Sequence, residues 1–219
     1  MRPWQIIRTP LIGRHVHKRA FAALVVSGCY EEAGDSGRHQ VQAGNVVLHN
    51  AFEAHLDRIP TSGAVVLNVS LPAQYAFRSG VGRAHDPDAI VRLVEKGDSE
   101  TAALLLWSTK ITEPEFQDWP DELAASLAQN ASINLCGWSR ARGIPAWDLS
   151  RSFAKVFGIS PCAFRARART RQAWRAIQTA GTPLSAIAVH FGFADQAHMT
   201  RSVKTMTGRC PSAWRSACK

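Results

Sequence analysis

The run from Thr182 to Trp214, TPLSAIAVHFGFADQAHMTRSVKTMTGRCPSAW, constrains this chain more tightly than any other stretch, because it reads as two short helices around a sharp turn. Thr182 can cap the first helix, Pro183 suits its first position, and Leu184, Ile187, Ala188 and Phe191 fall on one face at helical spacing. Gly192 allows the turn, and Asp195 caps a second helix whose buried edge is Met199, Val203 and Met206. The opposite edge carries Gln196, Ala197, Thr200, Arg201 and Lys204. Such an edge suits a DNA major groove, where Gln and Arg fork onto base edges and Lys reaches phosphate.

The same unit occurs about fifty residues earlier. A shift of fifty places Met199 on Leu149, Arg201 on Arg151, Val203 on Phe153, Gly208 on Gly158, Pro211 on Pro161 and Trp214 on Phe164. Upstream of the turn a shift of forty-nine works instead, with Leu184 on Leu135 and Gly192 on Gly143, so the one-residue difference sits in the turn. A fixed period with matching Gly, Pro and core positions marks a duplicated unit. The earlier docking helix, AWDLSRSFAKVFG, buries Leu149, Phe153 and Val156 and leaves Trp147, Ser150 and Arg151 on the opposing edge. Its opening helix is the poorer copy: Gly137 costs about 1 kcal/mol relative to Ala, and Arg142 stands where the later copy has Phe191. Between the copies Ser160 and Pro161 start a long helix ending at Gly181, with Phe164, Ala168, Trp174 and Ile177 for packing. Arg165, Arg167, Arg169, Arg171 and Arg175 charge it, and two or three of them are expected near phosphate.

LSRSFAKVFGISPCAF, the Arg-rich helix after it, and the run from Pro183 through GFADQAHMTRSVKTMTGRCPSAW together resemble the DNA-binding domain of the AraC/XylS family of bacterial transcription regulators. The resemblance covers 119–219 and implies two helix-turn-helix units joined by a long helix, their reading helices about 34 Å apart in successive major grooves. It assigns groove contact to Trp147, Ser150 and Arg151 in the first unit, and to Gln196, Ala197, Thr200, Arg201 and Lys204 in the second.

Charge agrees with that assignment. From Asp121 onward there are 14 Lys or Arg against 4 Asp or Glu, whereas up to Pro120 the count is 12 against 13. A basic half beside a neutral one points to a polyanionic partner, here double-stranded DNA. No run of about 18 apolar residues exists, and MRPWQIIRTPLIG lacks a signal-peptide core, so a cytoplasmic protein with no membrane partner is expected. Cys29, Cys136, Cys162, Cys210 and Cys218 include no C-x-x-C pair, which argues against structural zinc or a disulfide framework and for buried or incidental thiols.

The first seventy residues read as strands and turns. FAALVVSG is a short apolar run closed by Gly28, Gly34, Gly37 and Gly44 mark turns, and VVLHN and AVVLNVSL follow, a pattern favouring a small barrel or sandwich. His15, His17, His49 and His55 stand out, and His15 and His17 share one side of a strand. HVH, FAALVVSG and QAGNVVLHNAFEAH together resemble the cupin-like effector domain of the same regulator family, with Asn50 and Phe52 replacing the usual proline and glycine. Imidazoles at His15, His17 and His55 suit a divalent metal such as zinc, iron, nickel or copper. A catalytic cupin also supplies a glutamate soon after the histidine pair, and Phe21 occupies that neighbourhood here.

DPDAIVRLVEKGDSETAALLLWSTK reads as a helical hairpin, capped by Asp86 and by Asp98 or Ser99 and broken at Gly97, with Ile90, Leu93, Val94, Leu104, Leu105 and Trp107 packing on the barrel. ITEPEFQDWPDE follows as a linker, Pro114 and Pro120 discouraging continuous helix, and DELAASLAQN opens the basic half as a helix using Leu123 and Leu127. The chain is therefore expected to be α+β with two domains. Residues 1–85 form a small cupin-like β-barrel that senses an effector, 86–118 the hairpin and linker, and 119–219 an all-α double helix-turn-helix domain. The expected function is a non-catalytic, sequence-specific transcription regulator controlled by a small-molecule effector. A metal-dependent cupin enzyme or metal sensor with a DNA-binding tail is the alternative. The resemblance also makes RNA polymerase and a second copy of the chain candidate partners.

Overall fold

The computed structural model describes residues 3–72, 77–113, 118–130, 133–179 and 181–216. The chain divides into two compact units, Met1–Asp121 and Glu122–Lys219.

The first unit is built on strands β1 (Trp4–Ile7), β2 (Leu11–Val16), β3 (Phe21–Gly34), β4 (Gly37–Gln42), β5 (Asn45–His49), β6 (Ala54–Arg58), β7 (Ala64–Ser70) and β8 (Gly80–Arg83). The long strand β3 does not stop at Gly28 as the sequence suggests. Up to Gly28 it pairs antiparallel with β5 on one side and β7 on the other; beyond it, with β4 and β6. Gly28 is where the strand changes partners, at φ 76°, with a register shift against β7 between Val25 and Ser27. A Cβ there would stand 2.1 Å from the Gly63 carbonyl oxygen, so only glycine lets the two segments cross this closely.

The strand order is β1-β7-β3-β5-β8, with β2 joined through β6 and β4 through β3. Among the described residues no ladder joins β1 to β8 or β2 to β4, which corrects the expected closed barrel to an open arrangement. Because β3 is committed to different neighbours on either side of Gly28, the ladders form two groups sharing one strand. Alternation along β3 sends Phe21, Ala23 and Val25 into a core with Ile7, Tyr30, Val47 and Val66, and Ala22 and Leu24 to the other face.

That other face is covered by the helical hairpin, α1 (Pro87–Glu95) and α2 (Ser99–Trp107). Asp86 and Asp98 cap them, accepting from the amides of Ala89 and Thr101 at 2.9 and 3.0 Å, and Gly97 turns the chain at φ 82°. Ile90, Ala102, Ala103 and Leu106 complete the core against Ala22, Leu24, Leu48 and Leu67. Leu104, Leu105 and Trp107, expected to pack there, lie instead on the outward side of α2 and are exposed. The small side of the helix docks because Ala102 and Ala103 allow close approach to the sheet. The hairpin thus belongs to the first unit.

The basic half begins with α3 (Trp119–Gln129), which buries Leu123 and Leu127. Pro120 lies in its first turn, where the missing N–H is harmless, rather than in a linker; Pro114 lies outside the described residues. The second unit continues with α4 (Leu135–Ala141), α5 (Ala146–Phe157), α6 (Pro161–Thr179), α7 (Leu184–His190), α8 (Gln196–Thr207) and α9 (Pro211–Ser216). Phe153, Phe157 and Phe164 seat α5 on the start of α6, with ring centroids 4.7 to 5.5 Å apart. Toward the other end of α6, Trp174 meets Trp214 of α9 edge to face at 5.5 Å. Cys29, Cys136 and Cys162 are exposed free thiols and Cys210 is half-buried, so the thiols are not core residues; Cys218 lies outside the described residues.

Candidate nucleic-acid interface and histidine cluster

The fifty-residue repeat is visible in the backbone. α4 and α7 each have seven residues, and α5 and α8 each have twelve. Gly143 and Gly192 turn the chain between each pair at φ 65° and 70°; Gly158 and Gly208 end the second helix of each at φ 72° and 77°. Pro161 and Pro211 then start the following helices. Two residues separate Gly143 from α5 and three separate Gly192 from α8, which is where the change of register lies.

Asp195 caps α8, accepting from the His198 amide at 2.6 Å. α7 is capped at Pro183 with no side-chain bond, not at Thr182, because the proline already holds extended backbone at ψ 141°. Within α5 the buried residues are Leu149, Phe153 and Phe157; Phe157 takes the place expected of Val156, which is half-buried. In α8 Met199 and Val203 are buried and Met206 is half-buried. Trp147, Ser150 and Arg151 are all exposed on α5, Trp147 at 69%. Gln196, Ala197, Arg201 and Lys204 are exposed on α8, and Thr200 is half-buried.

Three of the α6 arginines are buried or bonded within the unit. Arg171 is buried, Arg165 donates to the Ile133 carbonyl at 3.1 Å just before α4, and Arg169 donates to the Gly192 carbonyl at 2.8 Å. Arg169 also lies over the Phe193 ring at 4.6 Å. Burial, and then Arg165 one turn away, lower its pKa. These two cations sit i, i+4 on one face of α6 and tie the start of the first helix pair and the turn of the second to the same spacer. In the weaker copy, Arg142 stacks over Trp138 at 4.0 Å, replacing the apolar contact Phe191 would supply.

A second site lies in the first unit. His15 on β2 is directly opposite His55 on β6, and His17 follows the end of β2. Nε2 of His17 is 2.9 Å from Nε2 of His15 and 3.1 Å from Nε2 of His55, so the three histidines expected to act together converge. His15 Nδ1 is 3.0 Å from the Gly13 carbonyl oxygen. His55 Nδ1 is 2.9 Å from Asp57 Oδ1 and 3.3 Å from Glu32 Oε2, and His49 Nε2 is 3.3 Å from that same Glu32 oxygen. Glu32 is 1% exposed, and its Oε1 has no hydrogen-bond partner among the described residues. Phe21 stacks on His49 at 4.5 Å and meets His17 at 4.4 Å. A cavity of about 120 Å³ touches the histidines together with Gln5 and Asn68.

Sequence reasoning missed Glu32, and the reason is the irregularity around Gly28. Counting by twos from Phe21 puts odd residues inward; past the irregularity the phase inverts, and Tyr30 and Glu32 face the core. The pKa values follow from this packing. Burial opposes a charge on His55, but Glu32 and Asp57 outweigh it and push it up to about 10. Burial, and then repulsion from His55, His15 and His49, take His17 down to about 3; His15 is lowered by burial and by His55. Burial opposes the charge on Glu32 as well, yet His49 and His55 hold its carboxyl well below the usual range.

The donor set fits a transition metal on geometric grounds. Metal–nitrogen bonds of about 2.1 Å at right angles place neighbouring nitrogens about 3.0 Å apart, and the observed separations are 2.9 and 3.1 Å. Two sets of ligand atoms, from His15, His17 and His55 and from Glu32, His49 and His55, each lie within 4.8 Å of one another.

Two helix pairs of equal construction on one spacer define a class, the helix-turn-helix domain, and residues 138–217 match the family model described as "Helix-turn-helix domain". The arabinose operon regulatory protein of Salmonella typhimurium is 34% identical over 71 residues, 32% of this chain and 25% of that one. The C-terminal unit therefore carries a helix-turn-helix domain of the AraC/XylS type. The matched segment spans about a quarter of the length of the curated relatives. Among solved structures, ToxT of Vibrio cholerae aligns over 100% of this chain and 99% of its own at 11% identity and a TM-score of 0.45. A probable AraC family transcriptional regulator from Rhodopseudomonas palustris aligns over 44% of this chain and 94% of its own, at 24% identity and a TM-score of 0.41. No helix among the described residues is long and apolar enough to cross a membrane.

Proposed function

We propose that the chain is a sequence-specific, DNA-binding transcription regulator in which α5 and α8 read successive major grooves and the N-terminal unit senses a small effector. The observation that carries this is the duplicated helix pair, each with a solvent-facing arginine at the same repeat position, within a segment matching a helix-turn-helix domain. Trp147, Ser150 and Arg151 are the groove residues of the first pair, and Gln196, Ala197, Thr200 and Arg201 those of the second, with Lys204 directed to phosphate. Trp147, 69% exposed, offers the first pair an apolar surface for contact with a thymine methyl group in the groove.

In functional terms 1–85 is the cupin-like sensing part, 86–118 the hairpin and linker, and 119–219 the reading part, while RNA polymerase and a second copy of the chain are further partners of such a regulator. The relatives support a regulator over a metal-dependent cupin enzyme, since the curated matches are regulatory proteins. Selection of bound sequences from a randomised duplex pool tests the reading. Arg151→Ala and Arg201→Ala should each weaken the selected site by about 1 to 3 kcal/mol while non-specific binding changes little. Equal losses on both kinds of DNA would remove their assignment as base readers.

A further inference from the structure

Resting on the regulator reading, we infer that the effector is a divalent transition-metal ion held by Nε2 of His15, His17 and His55, with Asp57 and Glu32 as the residues that position His55.

A ring nitrogen has a single in-plane orbital, which holds either a proton or a lone pair. Nε2 of His17 has two imidazole nitrogens within 3.1 Å and can satisfy one of them well by hydrogen bonding. A cation satisfies all three at once. The far nitrogens are arranged to favour this. His15 Nδ1 donates to the Gly13 carbonyl, and His55 Nδ1 to Asp57, backed by Glu32. With Nδ1 of both rings donating, Nε2 of each faces the common point, and the ion takes the place of the Nε2 proton that His55 carries in its absence. Carboxylate behind imidazole is the arrangement that makes a histidine a fixed and more basic ligand. The orphan Oε1 of Glu32, on a side chain almost wholly out of solvent, is a second sign that this pocket is built around positive charge.

At the converging nitrogens themselves, size favours an ion over an organic effector. Drug-sized ligands occupy about 300 to 1,000 Å³, whereas the cavity against the histidines measures about 120 Å³, room for an ion with a few waters or a very small anion. A wider cleft of about 450 Å³ runs past His17, Lys18, Arg19 and Ser70, but it lacks the converging nitrogens. Imidazole donors in this number favour zinc, nickel, cobalt or iron over calcium or magnesium.

The test uses the full chain, freed of metal with a chelator and titrated with Zn(II), Ni(II) and Co(II) against a chromophoric competitor. One ion per chain is expected, and the visible absorption of the Co(II) form should change in His17→Ala. His15→Ala and His17→Ala, both at partly exposed positions, should each reduce affinity more than the roughly 10- to 100-fold expected for Asp57→Asn or Glu32→Gln. Circular dichroism of each variant separates a lost ligand from a lost fold, and the two exposed-side variants decide the matter if Glu32→Gln does not fold. Adding the ion should change affinity for the selected DNA site at least about fivefold. Failure of all three ions to bind stoichiometrically, or binding unaltered in both histidine variants, overturns the site. Binding with unchanged DNA affinity overturns the effector assignment. If the metal-free and metal-loaded protein alike select no DNA sequence, the regulator reading fails instead, and the titration of the ion reports on the site independently.

Discussion

Phe52 holds φ at 63°, in a region that bulky residues rarely enter, at a position where the resembling cupin motif has glycine. The reason for keeping an aromatic there is visible: its ring is buried and its amide donates to the His17 carbonyl at 2.8 Å, fixing one ligand's backbone. Left-handed backbone costs a non-glycine residue about 1 to 2 kcal/mol, and removing a buried phenylalanine side chain about 3 to 5 kcal/mol. Phe52→Gly should therefore lower stability by about 2 kcal/mol net, measured by denaturant midpoint at unchanged slope. Gly28 offers no such exchange. Its added Cβ would strike the Gly63 carbonyl, which is backbone and cannot swing aside, so Gly28→Ala should lose about 4 kcal/mol or more. A loss below about 1 kcal/mol would mean that β3 is not pinned at this crossing.

Elements differ in how far their sequence dictates them, and the difference is physical. α8 was legible because Asp195 and Gly208 mark its two ends chemically and Met199 and Val203 mark its buried side. Its partner α5 has the same αL glycine stop, but three candidate apolar residues near its end, Phe153, Val156 and Phe157, leave the packing phase open until Phe164 selects Phe157. The short strand GVGR of β8 has no period to read, since two of its four residues lack side chains. Glu32 was hidden because the irregularity near Gly28 reverses the inward phase of its strand, so half of the histidine cluster's surroundings could not be inferred from alternation. The contacts of α6 were not legible for a related reason: composition gives five arginines, but only packing shows that Arg165 and Arg169 reach backbone carbonyls. If those bonds hold the two helix pairs at a fixed span, Arg169→Ala should leave each half-site readable while broadening the spacing tolerated between them. Binding to a series of duplexes with one or two base pairs inserted would show this, and an unchanged spacing optimum would make Arg169 a bystander. Lys204→Ala, directed to phosphate, should instead reduce the slope of log affinity against log salt by about 1 without altering spacing.

At the scale of the whole molecule, two units with separate cores must exchange information for an ion in one to matter to DNA at the other. Thermodynamics restricts how this can look. If saturating metal changes DNA affinity by some factor, saturating DNA must change metal affinity by the same factor and in the same sense. A tenfold effect corresponds to about 1.4 kcal/mol of coupling, small enough to be carried by a modest shift in population between two arrangements. Metal at a hundredfold excess over its Kd should stabilise the N-terminal unit by about 2.7 kcal/mol. In calorimetry this ought to raise the transition of the unit holding His15, His17 and His55, and DNA ought to raise that of the unit holding α5 and α8. The decisive measurement is the pair of titrations, metal into protein with and without the selected duplex and duplex into protein with and without metal. Equal coupling factors from the two directions are expected; factors that differ beyond error would show that the DNA effect comes from metal acting elsewhere, on the duplex itself or on a second class of sites, and not through the histidine cluster.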